Sequence, residues 1–141
     1  MKILKMGDDI LVYVQKNELV MDTLTSVCKK HEVYNGQISG IGAVKEVDLG
    51  TFDIKSKTYF KKNLPDVREL LSFQGNITLK ENCPFIHAHI TLGNHDLEVK
   101  GGHLFEMTVA VVGEFIIRKI DSNIIRKLDK NIGLPVWCIE N

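Results

Sequence analysis

Apolar and polar residues alternate along most of the chain, which predicts a protein built mainly from β-strands. The first such run, residues 10–14, is rich in the β-branched and aromatic residues that favour strands. Further strands are predicted over residues 46–52, 57–62, 69–79, 84–92 and 107–117, and near 136–139. Residues 108–112 are apolar on both faces, so we expect a helix or a neighbouring subunit to cover each side of that strand.

Helical spacing occurs in two segments. The longer one contains the apolar residues Leu19, Val20, Leu24, Val27 and Cys28. Asn17 is its predicted N-cap, and positive charge at residues 29–31 suits its C-terminal end. A short second helix is predicted over residues 122–130. The fold class is therefore α/β of the α+β kind, with a mainly antiparallel sheet, one main helix and a short C-terminal helix.

Composition narrows the class of protein. The chain has 141 residues, 44% of them hydrophobic, and no Pro-, Gly- or Ser-rich linker, which predicts a single domain over residues 1–141. Lys plus Arg equals Asp plus Glu at 18 each, so no overall charge attracts nucleic acid or an anionic membrane. The N-terminal apolar stretch is too short for a signal peptide, and no segment approaches the roughly 18 apolar residues of a membrane span. We expect a cytoplasmic protein.

The three cysteines, Cys28, Cys83 and Cys138, are widely separated and odd in number. They form neither a disulfide framework nor a Cys-x-x-Cys zinc motif. Residues 36–44 are rich in glycine but lack the Gly-Lys-Ser/Thr ending of a phosphate loop and the Gly-x-Gly-x-x-Gly fingerprint. Close backbone packing or strand bending explains these glycines better than a nucleotide site.

The most specific chemical pattern is the pair His87 and His89 in the run 84–92. On a β-strand these two side chains point the same way, with Cα atoms roughly 6.5 Å apart. That span suits two nitrogens binding one divalent ion at about 2.0–2.1 Å each. The alternative is that both are polar residues on a solvated strand face, because ligand spacing alone is a hypothesis.

A third histidine, His103, follows the pair Gly101 and Gly102. A two-residue turn at residues 94–95 would pair Leu97 with Leu92 and leave His103 on the wrong face. A β-bulge at the two glycines would turn His103 toward the other histidines. Three histidine nitrogens would leave an open metal position, as expected of a reactive site. His31 and His95, at a predicted helix end and turn, are left out.

Four segments, in this order, resemble the PPC (plants and prokaryotes conserved) domain: residues 40–43, 69–77, 84–89 and 101–104. The resemblance covers nearly the whole chain. It implies an α/β homotrimer built on a mainly antiparallel sheet, similar to the fold of acetolactate decarboxylase and of a zinc-dependent ester hydrolase family. In those proteins a His-x-His pair and a later histidine hold the metal, which implies His87, His89 and His103 as ligands of a divalent ion here, most simply zinc.

The resemblance implies two classes of function. The first is a DNA-binding or regulatory module, since plant members carry AT-hooks and prokaryotic relatives are often described as predicted DNA-binding proteins. This chain has no such hook, and its densest basic stretch is Lys55, Lys57, Lys61 and Lys62, which could equally be a solvated strand edge.

The second class is a metal-dependent hydrolase or lyase acting on a small oxygen-rich molecule, such as an ester, a lactone or a keto acid. Such an enzyme needs a general acid or base, and Glu69 and Glu106 are the carboxylates nearest the motifs. Arg68 is a candidate clamp for a substrate carboxylate. Each of these residues also has a structural interpretation, at a strand start or a hairpin edge.

Overall fold

The computed structural model describes residues 1–139, which form one helix and nine strands. The helix, α1, spans Val20–Lys30. The strands in chain order are β1 Lys2–Met6, β2 Asp9–Val14, β3 Gly36–Asp53, β4 Thr58–Leu64, β5 Arg68–Lys80, β6 Cys83–Gly93, β7 Val99–Lys119, β8 Ile125–Asp129 and β9 Leu134–Cys138. The predicted strands are all present among these residues, together with β1, which the sequence interpretation did not include, and β8, where it predicted a helix.

The strands form one sheet in the order β1-β2-β7-β3-β5-β8-β9, with β4 beside β3 and β6 between β5 and β7. Because β7 pairs with both β3 and β6, and β5 also pairs with both, these four strands form a closed circuit. All pairings are antiparallel except a single parallel contact between β5 and β8. The prediction of a mainly antiparallel sheet is therefore confirmed.

Helix α1 packs on β6 and β7 with the face that its periodicity predicts. Val20, Leu24, Val27 and Cys28 are fully buried, whereas Leu19 precedes the helix and is 43% exposed. Burying each aliphatic side chain contributes about 1.5–3 kcal/mol. Burial also raises the pKa of the Cys28 thiol to about 12, so this cysteine is inert core.

The predicted N-cap at Asn17 is wrong. Asn17 lies three residues before the helix with a φ of 68°, and Leu19, at the cap position, makes no side-chain hydrogen bond. The first turn is capped instead by Glu106 of β7, whose carboxylate accepts the backbone N–H groups of Met21 at 2.8 Å and Asp22 at 3.1 Å. A distant strand thus supplies the acceptor that the local sequence lacks.

The predicted helix over residues 122–130 is also wrong, because that segment contains β8, the first strand of the β8–β9 hairpin. Ile125 pairs with Cys138 and Asp129 with Leu134. The Asp129 carboxylate accepts the N–H groups of Asn131 and Ile132 in the turn, and Gly133 takes a φ of 85° that suits glycine. The turn chemistry outweighs the weak helical spacing of the preceding apolar residues.

The glycine-rich start of β3 bends the strand, as expected. Its register with β5 shifts between Gly40 and Gly42. A Cβ atom on Gly40 would lie 2.3 Å from the ring of Phe115, so this backbone packs directly on a core aromatic side chain.

The apolar run in β7 is buried on both faces only in its first part. Residues 107–110 are buried, but Val111 is 61% exposed. Within residues 1–139, no helix is long and apolar enough to cross a membrane.

Candidate metal centre

The three histidines predicted as ligands meet on neighbouring strands. His87 and His89 alternate along β6 and point to the same side, with ring centroids 5.1 Å apart. His103 lies directly opposite His89 on β7, and its ring is 5.1 Å from that of His87 and 5.5 Å from that of His89. Strand alternation and cross-strand pairing together form the cluster.

The route by which His103 reaches this face differs from the prediction. The connection between β6 and β7 comprises residues 94–98 rather than a two-residue turn, so Gly102 pairs with Ile90. Compared with the register that a two-residue turn would give, the pairing of β6 with β7 is displaced by three positions. An odd displacement reverses the face of every side chain, which turns His103 inward without a bulge at the glycines. Asn94 closes the loop: its carbonyl accepts the Leu97 N–H and its side chain accepts the Glu98 N–H.

The two glycines have a different role, which is close strand packing. A Cβ on Gly101 would lie 2.5 Å from the carbonyl oxygen of Ile90, and one on Gly102 would lie 2.9 Å from that of Gly50. Larger residues at these positions would push β7 away from β6 and β3. The glycines therefore permit the short distance that brings His103 to the other two histidines.

One potential ligand nitrogen from each histidine lies within 4.8 Å of the others. Nitrogens bound to one ion at about 2.0–2.1 Å are separated by at most about 4.2 Å, so small side-chain rotations close the set. The Nδ1 atom of His103 is buried and has no hydrogen-bond partner among residues 1–139. A buried ring nitrogen without a partner, on a histidine clustered with two further imidazoles, fits a divalent ion better than it fits a solvated polar surface.

The electrostatics keep two of the rings neutral. Burial, with nearby His87, His89 and Lys61, lowers the pKa of His103 to about 4. Burial also lowers the pKa of His87, and the charges of Arg126 and His89 act in the same direction. Neutral imidazole is the form that binds metal, so no proton must be displaced from these two rings at neutral pH.

Aromatic side chains form a wall next to the cluster. The ring of Tyr59 lies 4.8 Å from that of His103, and the ring of Phe105 lies 4.9 Å from that of His103 and 5.2 Å from that of Tyr59. The Lys61 ammonium lies 3.9 Å from the centroid of Phe105. These aromatic rings pack against His103 and contribute to its partial burial.

A cavity of about 460 Å³ opens beside the cluster and is lined by His87 and His103. Arg126 of β8 also lines it, with Nη2 at 3.4 Å from Nδ1 of His87. Neither Arg126 nor Tyr59 was a predicted site residue. Arg126 was assigned to a helix, and nothing in the local pattern indicates that β8 lies against β5.

The predicted acid, base and clamp residues do not gather at the histidines. Glu106 is half-buried at the start of α1, and burial raises its pKa although three backbone N–H groups favour the carboxylate. Arg68 is buried and pairs with Asp66 at 2.6 Å. Glu69 is exposed on β5 five residues from Gln74, the neighbour of His89, which is roughly 17 Å along the strand.

A sequence model of the Plants and Prokaryotes Conserved (PCC) domain matches residues 1–121 of the chain. No functionally curated protein matches it.

Several solved structures are similar to it over nearly the whole chain. A plant- and prokaryote-conserved (PPC) protein from Pyrococcus horikoshii is 34% identical, with 99% of this chain and 96% of that one covered and a TM-score of 0.88. A metal-containing protein from Archaeoglobus fulgidus is 30% identical, with 99% and 100% covered and a TM-score of 0.87. A proposed DNA-binding protein from Bacteroides thetaiotaomicron is 28% identical, with 97% and 96% covered and a TM-score of 0.94.

Proposed function

Because this chain belongs to the Plants and Prokaryotes Conserved domain family, the PPC domain, we propose that it is a metal-binding member, with a divalent ion held by His87, His89 and His103. The observation that carries the proposal is the convergence of three imidazoles from β6 and β7, one of them with an unsatisfied buried nitrogen. The similar Archaeoglobus fulgidus protein, described as metal-containing, supports it. We propose zinc, since an imidazole set with an open position is typical of reactive zinc sites.

The cavity beside the histidines favours a small-molecule ligand. Its volume of about 460 Å³ lies in the range of sites for small molecules. When bound, the ion would polarise a carbonyl or supply hydroxide near neutral pH. His87, His89 and His103 would hold it, and Tyr59 and Phe105 would shield the site from water. We therefore propose a metal-dependent hydrolase or lyase of an ester, a lactone or a keto acid.

A DNA-associated regulatory module is the second candidate. Two similar proteins, from Bacteroides thetaiotaomicron and Ralstonia eutropha, are described as proposed DNA-binding proteins. In this chain the exposed side chains of Lys55, Lys57, Lys61 and Lys62 would provide phosphate contacts. This role would require a cytoplasmic location, which the three free cysteines suit.

We also propose that the protein is a homotrimer. Leu4, Ile41 and Leu71 are each about half exposed around a cleft of about 720 Å³ between β1, β2, β3 and β5. A contiguous apolar surface of this kind marks an interface, and a partner subunit would also cover Val111. Native mass spectrometry should give three times the chain mass, and Leu71→Asp should shift the mass to that of a monomer. The proposed likeness to acetolactate decarboxylase stays a prediction from the resemblance.

Elemental analysis tests the metal site. The protein is purified without chelators or metal-affinity columns, and His87→Ala and His103→Ala are compared with His95→Ala, which alters an exposed loop histidine. We expect about one ion per chain in the wild type and in His95→Ala, and at least a tenfold lower content in the other two. Because changing a residue that only supports a metal ligand already costs roughly 10-fold or more in affinity, loss of one of the three ligands should cost at least as much. A wild-type protein that neither contains an ion nor takes up added zinc would contradict the proposal.

A further inference from the structure

The guanidinium of Arg126 lies beside the histidine cluster without a carboxylate partner in residues 1–139. Its Nε donates to Thr78 Oγ1 at 2.8 Å, Nη1 to the Pro135 carbonyl at 2.9 Å and Nη2 to Asn76 Oδ1 at 2.7 Å. All three acceptors are neutral. Arginine carries five N–H groups, so at least one remains free even when the long contact to His87 is included.

No acidic side chain offsets this charge elsewhere in the cavity. Arg126 and Lys80 line it, and none of its lining residues is Asp or Glu in the part of the chain described. Both cations lie near the Phe85 ring, with Lys80 Nζ 5.3 Å and Arg126 Cζ 5.5 Å from its centroid. Lys61 adds a third cation above Phe105.

A divalent ion on three neutral imidazoles would raise the positive charge of this cavity further. Charges brought together in a partly desolvated space repel strongly unless an opposite charge joins them. Residues 1–139 supply none here, so a negatively charged ligand would provide the missing opposite charge. Arg126 is suited to this because its planar fork matches carboxylate and phosphate oxygens.

We infer that the cavity beside His87 and His103 binds a small organic anion, whose carboxylate or phosphate group contacts Arg126 and whose apolar part packs against Phe85 and Phe105. This inference rests on the proposed metal site, which it deepens by naming the charge of the ligand. Neutral esters and lactones would be poorer ligands than acids of the same size. Arg126 takes the place for which the sequence suggested Arg68.

Arg126 also has a structural role, because its bonds to Thr78 and Asn76 attach β8 to β5. The test must separate the two roles. Arg126→Gln removes the charge, Arg126→Lys keeps it, and Thr78→Val weakens the attachment of β8 while keeping the guanidinium and two of its three acceptors. Arg118→Gln is the matched control, since Arg118 is 64% exposed and pairs with Asp9 far from the cavity.

Isothermal titration calorimetry of the zinc-loaded protein provides the test, with phenylacetate, phenyl phosphate and the neutral phenylacetamide as probes. We expect one of the two anions to bind at least tenfold more tightly than phenylacetamide. Whether this is phenylacetate or phenyl phosphate identifies the anionic group, and either result supports the inference. The preference should vanish in Arg126→Gln, persist in part in Arg126→Lys, and be unchanged in Arg118→Gln and Thr78→Val.

Zinc content measured on the same samples keeps the two proposals distinct. About one zinc per chain with equal binding of all three probes would overturn the anion site and leave the metal site standing. The same would follow if the preference survived Arg126→Gln, or if Thr78→Val abolished it, because the effect would then come from the hairpin rather than the charge. A protein that holds no zinc would overturn both.

Discussion

Two hairpins border the candidate site, and they are held in place by different forces. The β6–β7 hairpin carries the three histidines. It provides two of the four strands of the closed circuit, and its residues Ala88, Ile90 and Leu92 are buried. The β8–β9 hairpin carries Arg126 and lies at the edge, joined to β5 by one parallel pairing and by side-chain bonds. The ligand cluster is therefore set by core packing, whereas the arginine is set by a few polar contacts.

This difference indicates which side chains of the site can be repositioned at a small cost in free energy. Moving a histidine requires a change of register between buried strands, which reverses the face of every residue in the strand. Moving Arg126 requires only that three hydrogen bonds be replaced, each with a net value of about 0.5–1.5 kcal/mol. Metal binding should therefore tolerate changes in β8–β9, while the choice of ligand should respond to them.

Truncation of one leucine in each hairpin should give the largest difference between the two hairpins, measured as the loss in free energy of unfolding. Leu92 of β6 is fully buried and Leu128 of β8 is 64% exposed. Leu92→Ala should lower the free energy of unfolding by about 2–5 kcal/mol through lost burial and a residual cavity, and Leu128→Ala by no more than about 0.5 kcal/mol. Urea denaturation measures both. Equal losses would show that the two hairpins contribute alike and would remove the comparison.

A change of one glycine should separate β6 from β7 at the site itself. In Gly101→Ala the new Cβ would meet the Ile90 carbonyl oxygen at 2.5 Å, so the strands must move apart. We expect a loss of about 1–3 kcal/mol and a weaker metal affinity. Gly93→Ala is the control, because its Cβ would make only ordinary contacts with Leu71 at 3.4–3.6 Å. Gly101→Ala should have a lower zinc affinity and a lower melting temperature than Gly93→Ala. Identical values in the two variants would refute the packing role of Gly101.

Acid should destabilise the metal-free protein through the β6–β7 hairpin. The pKa of His103 is about 4 in the folded state, below the 6.5 of a free imidazole. As the pH falls from 6.5 toward 4, the unfolded chain binds a proton that the folded chain does not, so the stability present above pH 6.5 is lost. With allowance for solvent screening the loss is about 1–2 kcal/mol.

Unfolding of the chelator-treated protein between pH 7.5 and 4.5 measures this loss. His103→Asn should flatten the pH dependence, and His95→Asn, in the exposed loop, should leave it unchanged. If both variants follow the wild type, the neutral state of His103 is not the source of the acid sensitivity.

Some residues of the candidate site could be predicted from the sequence and others could not. Alternation alone places His87 and His89 on one face of β6, and the structure confirms it. His103 follows from the resemblance to the PPC domain, whereas the predicted turn and bulge were wrong because Asn94 closes a longer loop. Arg126 could not be found, since its neighbours on β5 lie about 50 residues away in the chain.

Contacts between residues far apart in the chain also limited what could be predicted of the fold. The buried face of α1 is readable from its spacing, but its N-terminal acceptor, Glu106, comes from a strand 84 or more residues later. Glu106 was singled out for chemistry on its distance from a motif. Its contacts with the first turn of α1 appear only once β7 and α1 are packed together.

The sequence by itself determined most of the strands, the main helix and its buried face, the shared face of His87 and His89, and the family. These features depend on residues close together in the chain, where the period of a strand or a helix decides which side chains are buried. Only the tertiary structure decided the β6–β7 register that faces His103 to His89, the capping of α1 by Glu106, and the position of Arg126 beside His87. Each of these joins residues that are not neighbours in the chain, and such pairings are set by loop closure and core packing rather than by local pattern.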